Sequence, residues 1–278
     1  MIESINDVIT LNNGVKIPQH GFGVYLIKEE EEGYNSINKA LEVGYRSFDT
    51  AQLYENEKLL GKILSESGVK RSDLFITTKV ADFNQGYDGT LRSVEQSLKD
   101  LKLDQIDLLL IHWPSKKHFF KTWNALEKLY NEKLVRAIGV SNYEIHHLEE
   151  LSSKSAIKPV INQVECHTYL TQEPLKDYLK DQSIAFEAWS PLGRGAILND
   201  NVINKIANKY DKSIAQIVIR WHLQKGNIVI PKSSTPSRIE ENANVYDFSL
   251  ADDEIKVIDS LNKNQRNGHA PDDVYLKI

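Results

Sequence analysis

Short apolar runs alternate with stretches of helical period along almost the whole chain. Ser47–Asp49, Leu74–Lys79, Ile106–His112, Val135–Val140, Val160–Glu165, Ala185–Trp189 and Ile228–Ile230 are too short for helices and apolar on both faces. They read as buried strands. Helices are expected between them. One covers about 34–43 with Ile37, Ala40 and Leu41 inward; the next opens at the N-cap Asn56, carries Leu59, Leu60, Ile63 and Leu64, and stops at Gly68. Asp88 is expected to cap a helix through Leu91, Val94, Leu98 and Leu101, and further helices are read at Thr122–Glu132 and Glu144–Ser153. Thr171 is expected to cap another, with Leu175, Tyr178 and Leu179 inward. Two more follow at 202–210 and 213–225, the second with a Ser213/Gln216 capping box. Thr235-Pro236 opens a helix with Pro at its first position, and Ser249 caps one through Ile255, Ile258 and Leu261.

Upstream, Val8–Leu11 and Val15–Ile17 flank Asn12-Asn13-Gly14, the signature of a β-hairpin. Gly21–Tyr25 is the first strand of the repeating series. Counting from it gives about eight strand–helix units, the number that closes an α/β (β/α)8 TIM barrel. The hairpin is expected to cover the barrel bottom. A doubly wound sheet is the rival, but Gly21-Phe22-Gly23 and Gly193-Arg194-Gly195 both lack the third glycine of a dinucleotide fingerprint. No linker or low-complexity segment divides the chain, so one domain over 1–278 is expected.

Composition narrows the class. With 41% hydrophobic and 26% charged residues the chain is an ordinary globular one, and a net charge of −5 without a Lys/Arg run argues against nucleic-acid binding. Cys166 is the only cysteine, so an intrachain disulfide and a Cys-rich metal site are excluded. Met1-Ile2-Glu3-Ser4 does not begin a signal peptide, and Ile106–Trp113 is far too short to cross a bilayer. A cytoplasmic protein without a membrane partner is expected; no oligomerisation surface is visible, and a monomer is the working expectation.

In a (β/α) barrel the reacting groups stand at the C-terminal strand ends. Here successive strands end on Asp49, Lys79, His112, Ser141-Asn142, Gln163 and Glu165, Trp189-Ser190, and Lys232-Ser233. Each alone has an ordinary structural explanation: a snorkelling lysine, a core histidine, a capping aspartate. Their recurrence at one end does not. Tyr54, Lys79, Asp49 and His112 can converge there. Lys79 beside the Tyr54 hydroxyl is expected to lower the phenol's pKa, Asp49 to hold Lys79, and a neutral His112 to orient a carbonyl oxygen. No Gly-x-Ser-x-Gly nucleophile and no metal-ligand spacing is present; His146-His147 are merely adjacent. The attack on carbon is therefore left to a cofactor hydride. Lys232, Ser233, Ser234, Thr235 and Arg238 crowd a helix N-terminus, which suits a phosphate such as the 2′-phosphate of NADPH. Glu241 and Asn242 could bond adenine, and Trp189 either stacks nicotinamide or packs as core.

These stretches resemble the aldo-keto reductases over nearly the whole length. The resemblance is carried by Gly44–Ala51 with Tyr54, Thr77-Thr78-Lys79, Leu110–Pro114, Ile138–Tyr143, Asn162–Glu165, Ser190–Gly193 and Ile230–Ser233. It extends to small bacterial members related to diketogluconate and methylglyoxal reductases. It implies NADPH-dependent reduction of aldehydes and ketones, including 2-oxoaldehydes and keto-sugars, with Tyr54 as proton donor and Asp49, Lys79 and His112 completing the tetrad. It also implies cofactor contacts from Gly23, Asp49, Ser141, Asn142, Gln163, Trp189, Ser190, Leu192, Gly193, Ile230, Lys232, Ser233, Ser234, Arg238, Glu241 and Asn242. Tyr25 and Trp113, with Tyr54 and His112, would line the substrate pocket. Val24-Tyr25 replaces the family's frequent Thr-Trp, Trp189 its Tyr or Phe, and the segment Asn267–Asp272 matches only loosely. A short tail implies an open pocket and broad specificity. The alternatives are a non-catalytic redox-sensing module that keeps the cofactor site, and a barrel lyase or isomerase acting on a phosphate-bearing substrate, which leaves Tyr54 and Trp189 idle.

Overall fold

In the computed structural model, which describes residues 2–277, the chain opens with the expected hairpin. β1 (Val8–Thr10) pairs antiparallel with β2 (Lys16–Pro18), and Gly14 in the turn adopts φ +85°. The expected domain limits at residues 1 and 278 lie outside the described residues.

Eight parallel strands follow in sequence order: β3 (Phe22–Gly23), β4 (Ser47–Asp49), β5 (Phe75–Val80), β6 (Leu108–Ile111), β7 (Ile138–Ser141), β8 (Ile161–Glu165), β9 (Ala185–Trp189) and β10 (Ile228–Val229). The two ends of this sheet meet. Gly21 N–H donates to Val229 O at 2.9 Å, Val229 N–H to Gln19 O at 2.9 Å, and Gly23 N–H to Pro231 O at 3.2 Å. The seam closes the expected barrel. A Cβ on Gly23 would lie 3.0 Å from Ile230 O, so glycine permits the close approach of the two chain segments.

Helices wrap the barrel: α1 (Glu30–Glu42), α2 (Glu57–Glu66), α3 (Tyr87–Leu101), α4 (Phe119–Asn131), α5 (Ile145–Ser152), α6 (Glu173–Asp181), α7 (Asn201–Tyr210), α8 (Ile214–Gln224), α9 (Pro236–Ala243) and α10 (Asp252–Asp259). A short α11 (Pro271–Tyr275), which was not expected, ends the described chain. The hairpin's Leu11 and Ile17 pack on Phe75, Leu108, Ala137, Val160 and Ile228 at the strand starts, so it does plug the bottom. No helix among the described residues is long and apolar enough to cross a membrane.

The helix starts are where expectation and structure part. α1 begins at Glu30 rather than near Tyr34, because Glu30, Glu31 and Glu32 favour the positive helix end. The N-cap positions of α3, α6 and α10 are Gly86, Gln172 and Ala251, not Asp88, Thr171 and Ser249. Ser249 instead accepts from Arg220 Nη2 at 2.8 Å. Asn56 precedes α2 as expected, yet its amide donates to Val24 O and Ile27 O instead of capping. The Ser213/Gln216 capping box forms, and Pro236 starts α9.

His20 lies at the barrel seam, fully buried between Tyr246 OH at 2.8 Å and Tyr45 OH at 3.1 Å. Burial pushes its pKa from 6.5 down to about 3. Between those values the unfolded chain binds a proton that the folded chain refuses. Stability present above pH 6.5 is therefore lost as pH falls toward 3. This single group should cost on the order of 2 kcal/mol at about pH 5. Urea midpoints measured at about pH 7 and pH 5 should fall less in His20→Gln than in the wild type; equal falls would show that His20 is not responsible.

Candidate active site

Three adjacent strands, β4, β5 and β6, deliver the reactive side chains to the C-terminal mouth. Asp49 ends β4, and a 3₁₀ turn at Gln52–Tyr54 then presents the phenol. That turn is held from several sides. Gln52 Oε1 accepts from Ala81 N–H at 3.0 Å and from Asn84 Nδ2 at 2.9 Å. Thr50 Oγ1 donates to Asn56 Oδ1 at 2.6 Å, tying the loop to the Asn56 clamp on the β3–α1 connection. Such locked rotamers are what a precise catalytic geometry needs.

Lys79, on β5, is buried with its ammonium 2.6 Å from Asp49 Oδ1, 3.0 Å from Thr50 O and 3.4 Å from Tyr54 OH. Burial disfavours this cation, but Asp49, with Tyr54 and Glu187, outweighs that, and its pKa lies above the ordinary lysine value. The ring of His112, after β6, meets the Tyr54 ring edge-on at 5.6 Å, and the Tyr25 ring lies 4.9 Å from Tyr54. The four expected side chains are thus together. Burial, with Lys79 nearby, drives the His112 pKa well below its ordinary value, so the imidazole is neutral near pH 7. Its Nδ1 is buried without a hydrogen-bond partner among the described residues.

One electrostatic expectation is reversed. Burial raises the Tyr54 pKa above that of a free phenol; Lys79 pulls it down and Asp49 pushes back. The ammonium is shared first with Asp49, at the shorter distance, so the phenol keeps its proton at neutral pH. A phenol that keeps its proton is able to donate one, and a cation 3.4 Å away favours the phenolate that would result.

The remaining expected residues ring the same mouth. Asn142 Nδ2 donates to His112 O at 2.9 Å, and Asn142 Oδ1 accepts from Trp189 Nε1 at 2.8 Å. Ser141 Oγ donates to Gln163 O at 2.8 Å. Asn142 and Ser190 both adopt left-handed backbone, at φ +64° and +48°, a strained state that accumulates at functional sites. Leu192 and Gly193 follow Ser190, and Gly193 O accepts from Asn267 Nδ2 at 3.0 Å. Gly23 pairs in register with Asp49, and Ile230 lies on the seam beside it. Ser233 Oγ accepts from Thr235 N–H at 3.1 Å just before α9. Asn242 is buried, and one Glu241 oxygen accepts from Ser213 Oγ. Trp113 lies 6.5 Å from the His112 ring and 6.4 Å from that of His269.

The tail clasp and Glu187 went unnoticed in the sequence. Glu165 accepts from Asn267 N–H at 2.6 Å and Gly268 N–H at 3.0 Å, which pins the tail across the mouth. A Cβ on Gly268 would lie 2.6 Å from the Trp189 ring, so only glycine lets the strap pass there. The signal available was a charged residue inside each of two apolar strand runs. His146 and His147, which lack ligand spacing in the sequence, meet Asp272 of α11, at 2.9 and 3.4 Å. His147 Nδ1 accepts from Glu144 N–H, so its Nε2 carries the ring proton and offers no lone pair to an ion.

The sequence profile described as Aldo/keto reductase family matches residues 21–263.

The chain belongs to the aldo/keto reductase family.

It is 49% identical over 276 residues to the glyoxal reductase of Bacillus subtilis strain 168, covering 99% of this chain and 100% of that one. It is 45% identical over 269 residues to the methylglyoxal reductase DkgA of Escherichia coli strain K12, covering 95% and 97%. A crystal structure of a Gox0644 mutant in complex with NADPH superimposes with a TM-score of 0.91 at 41% identity, covering 96% of this chain and 98% of that one. As an aldo-keto reductase this chain is an NADP-dependent oxidoreductase that reduces carbonyl groups. Its own residues fit that cofactor. Lys232 and Arg238 make no ion pair among the described residues beside the N-terminus of α9, and Trp189 keeps a half-exposed face while its N–H is engaged by Asn142.

Proposed function

We propose that this aldo-keto reductase converts small aldehydes and ketones, 2-oxoaldehydes and keto-sugars among them, to alcohols, with Tyr54 as the proton donor. The observation that carries the reading is the Tyr54 hydroxyl 3.4 Å from the Lys79 ammonium, itself 2.6 Å from Asp49. When bound, NADPH supplies a hydride to the carbonyl carbon. Neutral His112 and the Tyr54 hydroxyl orient the carbonyl oxygen. As charge develops on that oxygen, Tyr54 gives it a proton, and Lys79 holds the phenolate. Ser141, Asn142, Gln163 and Trp189 would hold the nicotinamide end; Ser190, Leu192, Lys232, Ser233, Ser234, Arg238, Glu241 and Asn242 would hold the rest. Tyr25 and Trp113 wall the substrate. The 2-oxoaldehyde assignment is supported by the chain's similarity to the glyoxal reductase and methylglyoxal reductase relatives. The protein acts as a cytoplasmic monomer of one catalytic domain.

A panel of carbonyl compounds assayed for NADPH consumption tests the substrate class; no turnover of any aldehyde with cofactor bound would overturn it. The cofactor choice has its own check. Arg238→Ala should weaken NADPH by about 10–100-fold, the worth of a charged hydrogen bond, and leave NADH nearly unchanged. Equal losses for the two cofactors in fluorescence titrations would remove Arg238 from the 2′-phosphate site.

A further inference from the structure

The tetrad does not use one buried carboxyl that shares its interior. Glu187, in the middle of β9, is 1% exposed and pairs in register with Gln163 of β8. Gln163 Nε2 donates to Glu187 Oε2 at 2.9 Å and to Asp49 Oδ2 at 2.7 Å. Both amide hydrogens are thereby used, and the amide becomes a fixed bridge between two carboxyl groups. Tyr54, Lys79, Asp49, Gln163 and Glu187 form one continuous polar chain across the barrel.

We propose that Glu187 is a positioning residue of the proton-donating assembly: through Gln163 it holds Asp49, and its charge state governs how readily Tyr54 releases its proton. The proposal rests on the reading of Tyr54 as donor. Two charged groups face Glu187, Asp49 from β4 and Lys79 from β5; β8 contributes the Gln163 amide, and its register partner on β10 is the uncharged Ile228. Burial, reinforced by Asp49, pushes its pKa up to about 8 against the pull of Gln163 and Lys79. With Glu187 uncharged, this polar chain carries the Lys79–Asp49 ion pair alone. Above that value a second anion appears. It competes for the field of Lys79, and each step that puts negative charge on Tyr54 or on the carbonyl oxygen becomes harder. Reduction should then decline as pH rises through this ionisation.

The test is the pH dependence of kcat/KM for NADPH-dependent reduction of para-nitrobenzaldehyde by the wild type, Glu187→Gln and Tyr54→Phe. Gln keeps the volume and still accepts from Gln163, but it does not titrate. The wild type should lose about tenfold per pH unit above about pH 8, and Glu187→Gln should show that decline displaced upward by about one unit or more. Superimposable alkaline limbs overturn the proposal. So does a uniform loss at every pH with an unmoved limb, because a merely structural role predicts that. Tyr54→Phe separates the two levels: if it retains wild-type turnover, the donor reading itself has failed. Should Glu187→Gln fail to fold, infrared titration of the ¹³C-glutamate-labelled wild type decides. A buried protonated carboxylic acid at about pH 7, ionising by about pH 9.5, supports the proposal, and no protonated acid at about pH 7 overturns it.

Discussion

Tyr54→Phe should still fold and bind NADPH, yet reduce carbonyl compounds about 10²–10⁴-fold more slowly. The substitution removes only the hydroxyl. The ring keeps its contacts with Tyr25 and His112, and the Lys79 ammonium keeps its two shorter partners, Asp49 and Thr50 O. The loss should fall on kcat more than on KM, because the proton is delivered only as the oxygen becomes negative. Steady-state rates and cofactor titrations on the same preparation check this. A variant within a few-fold of the wild type would take Tyr54 out of the chemistry.

Lys79→Met should be the most damaging single change in the barrel interior. Lys79 and Asp49 side chains are 1% and 4% exposed, and removal of the cation leaves a buried carboxylate facing only the Gln163 amide. Breaking one side of a buried pair typically costs about 3–5 kcal/mol. The melting temperature should therefore fall by roughly 6–15 °C. Activity should fall at least as far as in Tyr54→Phe, since the phenolate loses its counter-charge. Adding Asp49→Asn removes the stranded charge. The double variant should recover most of the stability and none of the activity, which separates the pair's structural cost from its catalytic use. A single variant as stable as the wild type would show that the pair is not held as described.

Much of this site was legible because barrel geometry converts a local pattern into a place. Lys79, His112 and Trp189 each sit at or just past the end of an apolar run, and parallel strands bring all such ends to one mouth. The hairpin turn and the Ser213/Gln216 capping box were equally local. What escaped depends on long-range closure. Glu187 becomes part of the site only because Gln163 reaches Asp49 across 114 positions of sequence. The Glu165 clasp on Asn267 and Gly268 spans 102 and 103 positions, which no short window reveals. The caps failed for a different reason. Asn56, a good cap residue at the right place, turns its amide to the buried carbonyls of Val24 and Ile27, which need a donor, and its Oδ1 is taken by Thr50 Oγ1. Lys79 alone does not set the Tyr54 pKa: burial acts on the same phenol, and Asp49 takes the nearer share of the ammonium.

The most direct measurement follows a single turnover, with enzyme in excess over a dicarbonyl and nicotinamide absorbance as the signal, in light and heavy water. Product release drops out of that signal, so the rate reports chemistry. The wild type should slow in heavy water, and Tyr54→Phe with cofactor bound should be slower by about a hundredfold or more. Equal single-turnover rates in the two proteins would contradict proton delivery from the phenol.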